Sequence, residues 1–140
     1  MLPGAITHNT VPGTVSSLTV ATAGAVCYRD TSASLIKEAT SSVGNVTNLY
    51  GVNFTPIAST DTRVDFTPIV QNATQLWVAD CTNATNVDQL YKAQALTDST
   101  HLANTSTAVA TELGVFIPIG VASATELIGY FAMTSQVVSH

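Results

Sequence analysis

Residues 113–133 constrain this chain more than any other stretch. They read LGVFIPIGVASATELIGYFAM, two apolar runs of strand length separated by the short break Ser123, Ala124, Thr125. Both runs are rich in β-branched and aromatic residues, which predicts a β-hairpin with two well-buried strands. A helix is disfavoured, because Gly114, Pro118, Gly120 and Gly129 would each weaken it. Nothing in this stretch is chemically reactive. The most strongly specified part of the chain is a structural core.

The rest of the composition points the same way. The chain has 140 residues, enough for one domain, and 46% of them are hydrophobic. Charged residues make up only 9%, against roughly 25% in an ordinary soluble domain. Polar cover must therefore come from uncharged residues, and Thr alone occurs 22 times. Thr is β-branched and suits strands, whereas the scarcity of Glu and Lys removes the usual exposed faces of helices. The expected fold class is all-β: a small β-barrel or compact sandwich of short antiparallel strands. The expected organisation is an extended N-terminal arm over residues 1–20 and a single β domain over residues 21–140.

The net charge of −5 excludes some partners. Arg29, Lys37, Arg63 and Lys92 are the four basic residues, too few and too scattered to neutralise a phosphate backbone, so no nucleic-acid partner is expected. Anionic membrane surfaces are disfavoured for the same reason. No run of about 20 apolar residues predicts a transmembrane helix. The N-terminal residues lack a basic segment followed by a long apolar one, so no secretory leader is expected.

Read in order, the first 20 residues are punctuated by Pro3, Gly4, Pro12 and Gly13, with Leu2, Ile6, Val11 and Val15 widely spaced. This pattern breaks both helix and ladder and predicts an arm that can lie along a neighbour. Residues 24–30 and 35–39 form a predicted hairpin across the polar turn 31–34. Residues 49–55 form the next strand, with Gly51 as a bulge or close-contact point. Phe54-Thr55-Pro56-Ile57 recurs as Phe66-Thr67-Pro68-Ile69 and predicts a hairpin turning at residues 58–62. The prolines there place their strands at an edge or mark where they leave the sheet. Trp77, the only Trp, is a predicted core anchor. Val87, Leu90 and Tyr91 lie at helical spacing, predicting one short helical turn and then a strand into Leu96. Residues 97–111 read as a long surface loop.

The sequence carries no recognisable catalytic pattern. His8, His101 and His140 have no neighbouring ligand set, and Cys27 and Cys81 show no zinc spacing, so no metal or cofactor is expected. Asp61 with Asp65, or Asp30 with Glu38, read as solvated turn carboxylates rather than acid/base pairs. Cys27 and Cys81 read as small buried core residues. Five Asn-x-Thr/Ser triplets, at Asn45, Asn53, Asn72, Asn83 and Asn104, are expected from the Asn- and Thr-rich composition.

Several pieces together carry a resemblance. They are the hairpin from Gly24 through Cys27 and Asp30 to Leu35 and Thr40, then Leu49 to Val52, Trp77 to Asn83, and Val115 to Val121 followed by Glu126 to Phe131. In strand order and turns the chain resembles the small β-barrel decoration, or cement, proteins of tailed-phage capsids. The resemblance implies a non-enzymatic virion protein, assembled in the host cytoplasm. It would bind the capsid exterior, partner the major capsid protein and itself as a homotrimer, and bridge neighbouring subunits. Leu2, Pro3, Ile6, Val11, Pro12 and Val15 of the arm are the expected contacts. The alternative is the receptor- or glycan-binding head of a viral fibre or spike, which clustered aromatics on loops would favour.

Overall fold

The computed structural model describes residues 2–3, 10–16, 22–40, 48–54, 57–84, 90–102 and 114–132. Among them the fold is all-β, as the composition predicts, with two sheets packed as a compact sandwich. The strands are β1 (Leu2–Pro3), β2 (Val11–Thr14), β3 (Ala25–Asp30), β4 (Leu35–Glu38), β5 (Leu49–Asn53), β6 (Arg63–Pro68), β7 (Trp77–Cys81), β8 (His101–Leu102), β9 (Phe116–Ser123) and β10 (Glu126–Phe131). No helix among the described residues is long and apolar enough to cross a membrane.

The first sheet has the order β1-β7-β10-β9. The predicted terminal hairpin is its β9–β10 pair, turning at Ala124 and Thr125. β1 pairs with Val78 and Trp77, and the short parallel strand β8 pairs with Asp80 and Cys81, so β1 and β8 share one edge of β7. The second sheet has the order β2-β6-β5-β3-β4. Both predicted hairpins, β3–β4 and β5–β6, lie in it.

The core between the sheets is built around Trp77, which is fully buried. Its ring meets Phe131 edge-on at 5.7 Å between centroids and stacks with Phe54 at 6.3 Å. Phe116 meets Phe131 edge-on at 5.4 Å. Val26 and Val52 close this core from the second sheet. A buried indole N–H needs an acceptor, and Gln75 supplies it: Trp77 Nε1 donates to Gln75 Oε1 at 3.1 Å. The same amide oxygen accepts from the Val70 N–H at 2.7 Å, and Gln75 Nε2 donates to the Pro68 carbonyl at 2.8 Å. One buried amide thus ties the end of β6 to the start of β7.

A second cluster lies on the other face of the second sheet. It contains Val15, Ala25, Cys27, Ile36, Val64 and Phe66. Ala25, Val26 and Cys27 are therefore all buried although they alternate in direction. A strand covered on both faces reads as a continuous apolar run. Gly51 is the close-contact point the sequence predicts. Cys27 pairs with Gly51 and Tyr28 with Leu49, leaving Tyr50 as the extra residue of a bulge. A Cβ at Gly51 would stand 2.6 Å from the Thr67 carbonyl oxygen.

Several expectations need refinement. Pro12 and Pro118 lie in the edge strands β2 and β9, but β6 is interior, flanked by β2 and β5. Pro68 fits because it is the last residue of β6, beyond Phe66 where pairing with β2 stops. Pro56, most of the helical turn before Leu90, and residues 103–111 of the predicted loop lie outside the described residues. The strand into Leu96 is reduced to single bridges at Gln94 and Leu96. The Gln94 carbonyl accepts from the N–H groups of both Val115 and Phe116, so no regular ladder continues. Tyr91 has φ 64, which no helical turn contains.

Cys27 and Cys81 are buried thiols not joined in a disulfide, one in each cluster. Burial, reinforced by the Glu38 carboxylate, pushes the Cys27 thiol well above its usual value. Thiol titration should return two thiols per chain after unfolding without reductant and slow reaction of Cys27 before it; recovering no thiols after unfolding would contradict this placement. Trp77→Ala should cost about 3–5 kcal/mol. Gln75→Ala should cost about 1–3 kcal/mol, because it leaves buried partners unsatisfied. Urea denaturation measures both, and a Gln75→Ala midpoint equal to wild type would refute the role given to this amide.

Candidate functional site

The second sheet curls until its two edge strands approach each other. Gly13 of β2 shows how close they come: a Cβ there would stand 2.6 Å from Phe66 Cε2 and 2.8 Å from Ile36 Cγ1 of β4. Glycine is required here by space. The seam opens into a cleft of about 200 Å³ lined by Pro12, Gly13, Thr14, Arg29, Ile36 and Tyr50, with Ser34 from the β3–β4 turn.

Each wall has a local cause. Tyr50 is the extra residue of the β5 bulge, and its hydroxyl donates to the Pro12 carbonyl across the seam. Its ring packs edge-on against Phe66 at 5.5 Å, so it is held from both ends. Ser34 has φ 54, a left-handed conformation uncommon outside glycine, Asn and Asp. It closes a turn organised by Asp30, whose Oδ1 accepts from the Ser32 N–H at 3.0 Å, the Ser32 hydroxyl at 2.7 Å and the Ala33 N–H at 3.3 Å.

Arg29 faces the cleft because it is the β3 partner of Ile36. Its neighbour Asp30 is already engaged, with Lys37 Nζ 2.7 Å from Asp30 Oδ2. Glu38 accepts from the Thr22 N–H at 2.9 Å. Among the described residues no carboxylate lies within ion-pair distance of the Arg29 guanidinium. The cleft therefore combines a cation, three hydroxyl-bearing side chains and a smaller apolar face.

The hydrogen bonds from Lys37 and then Ser32 hold the Asp30 carboxyl far below its usual value, and Asp30 raises Lys37 in return. The depressed carboxyl contributes stability that is present above its unfolded pKa, about 3.9, and lost as pH falls through the folded value. The raised ammonium contributes stability that is present below about 10.4 and lost as pH rises through its folded value. Asp30→Asn should lower the melting temperature at neutral pH, and the gap to wild type should close as pH falls below about 4. A gap that persists unchanged in acid would show that the turn does not depend on the charge.

The residues singled out in the sequence are dispersed. Leu2 and Pro3 pair with Val78 and Trp77 in the first sheet, and Val11 and Pro12 pair with Phe66 and Asp65 in the second. Ile6 lies outside the described residues. Val15 is 2% exposed in its own chain's core, and its N–H donates to the Thr62 carbonyl at 2.9 Å. It can anchor a neighbour only by leaving that core. Among the described members of the set, Pro12 alone reaches the cleft. Reasoning from sequence missed Arg29, Ser34, Tyr50 and Gly13; the one available signal was that Arg29 is one of four cations.

The remaining candidates serve local structure. Asp61 Oδ2 accepts from the Ala58 N–H at 2.8 Å, closing the β5–β6 turn. Asp98 Oδ1 accepts from the N–H groups of Thr100 and His101 and lies 3.0 Å from His101 Nδ1. Burial opposes ionisation of Asp98, but the hydrogen bonds from Thr100 and His101 outweigh it and lower its pKa. No group of three His, Cys, Asp or Glu residues suited to a metal ion occurs among the described residues. The Asn53 triplet is closed to modification, because that side chain is fully buried. Comparison with protein-family models, curated proteins and solved structures returns no match to this chain.

Proposed function

We propose that this domain is a structural virion protein that binds the outside of an assembled phage capsid and bridges neighbouring subunits. Its partners in this reading are the major capsid protein and two further copies of itself. The observation that supports it most is the display of apolar groups along β9. Tyr91 is 73% exposed, and its N–H donates to the Pro118 carbonyl at 2.7 Å. Its left-handed backbone costs on the order of 1–3 kcal/mol. Val121 on the same strand is 41% exposed. A large aromatic held out into solvent on a strained, hydrogen-bonded backbone is the residue type that dominates interface energies. The charge-poor surface adds to this, because little ionic hydration must be stripped when it is covered.

The N-terminal segment enters differently from the sequence expectation. β2 and Val15 are integral to the second cluster, so deleting residues 2–16 should unfold the curled sheet. Point variants test the reading without that damage. Tyr91→Ala should leave the fold intact and weaken retention on particles about tenfold or more, the loss of roughly 1.4 kcal/mol or more. Leu2→Ser and Ile6→Ser test the remaining arm contacts in the same assay. If all three variants stay on the particle and protect it against heat as wild type does, neither β9 nor the arm carries the contact.

A further inference from the structure

We propose that the cleft between β2 and β4 binds a small carboxylate-bearing sugar, with Arg29 taking the carboxylate. The site lies in the second sheet, whereas Tyr91 and Val121 flank the first. The inference is therefore independent of the capsid reading.

Three observations carry it. The first is charge. In a chain of net charge −5, the cleft holds a guanidinium whose adjacent carboxylate is bound to Lys37 at 2.7 Å. A guanidinium with free donors matches a carboxylate in two parallel hydrogen bonds. The second is the rest of the lining. The Thr14 and Ser34 hydroxyls both donate and accept, and the Tyr50 oxygen keeps acceptor capacity after donating to Pro12. The Pro12 and Tyr50 rings and Ile36 supply apolar surface beside these groups. A mostly polar lining with several hydroxyls, a smaller apolar face and one cation matches a sugar acid better than a bare anion, which needs the cation alone. The third is size. A volume of about 200 Å³ lies below the roughly 300–1,000 Å³ of pockets for drug-sized ligands, so the occupant is limited to one small ring.

The site is also preorganised. Tyr50 is fixed by its hydrogen bond and by Phe66, Gly13 by its approach to Phe66 and Ile36, and Ser34 by the Asp30 turn. The ordering that remains is chiefly that of the exposed Arg29 side chain. Such a carboxylate reaches the site either as a free sugar acid or as the terminal residue of an acidic polysaccharide.

The test is a titration of the full-length protein followed by amide chemical shifts. The probes are glucuronate, an oligosaccharide ending in glucuronate, glucose and acetate. Glucuronate should shift Gly13, Thr14, Arg29 and Ser34 saturably, with glucose and acetate each at least tenfold weaker. Arg29→Gln should weaken glucuronate tenfold or more, and added salt should weaken it in wild type. Thr14→Glu changes an exposed position, so the fold survives while the new carboxylate repels the ligand. Tighter binding of the oligosaccharide than of free glucuronate identifies the polysaccharide end as the source; equal binding identifies the single sugar acid as sufficient. Absence of saturable shifts with both acidic probes, saturation at other residues, equal shifts from acetate, or unchanged affinity in Arg29→Gln would each overturn the proposal.

Discussion

The burial of Trp77 is the constraint from which the rest of this structure follows. A fully buried indole supplies a large apolar surface but carries one N–H that water can no longer satisfy. Gln75 resolves the conflict, and because its amide also bonds Pro68 and Val70, the solution fixes how the chain passes from the second sheet to the first. Phe54, Phe116 and Phe131 then complete the aromatic layer between the sheets. None of these groups is reactive, which is why the strongest sequence signal and the structural centre coincide without indicating any chemistry.

The second sheet solves a different problem. Its outer face is apolar at Cys27, Ile36, Val64 and Phe66, and no third sheet covers it among the described residues. The sheet instead curls on itself, and β2 closes the curl by placing Gly13 against Phe66 and Ile36. Closure of this kind also protects a strand edge that would otherwise template association. The cleft is what remains open at the seam. Its position follows from the packing, and its chemistry from the few polar residues at the rim.

This division explains what could be read from the sequence. The hairpins β3–β4 and β9–β10, the bulge at Gly51 and the anchoring by Trp77 rest on local pattern, and local pattern is what a sequence displays. The strand β2 was not legible, because Val-Pro-Gly-Thr has little intrinsic preference for a strand and acquires its conformation from β6. The cleft was less legible still. Gly13, Arg29, Ser34 and Tyr50 come from separate strands and a turn, and only the curl of the sheet assembles them. At Tyr91 the helical spacing misled, since a positive φ on a non-glycine residue leaves no periodic trace.

Two surfaces with different chemistry therefore lie on different sheets: an apolar display along β9 and a polar cleft at the β2–β4 seam. A domain attached to a large assembly through the first would make that contact with residues other than those lining the second. Many weak copies on one lattice would hold firmly, since linked contacts raise the effective concentration of each. Three-dimensional reconstruction of the parent particle with and without the protein tests this arrangement most directly. The expected result is threefold density on the shell exterior at boundaries between capsid subunits, with β9 toward the shell and the cleft toward solvent. Density confined to a fibre or spike, or a shell contact made through the cleft, would contradict it.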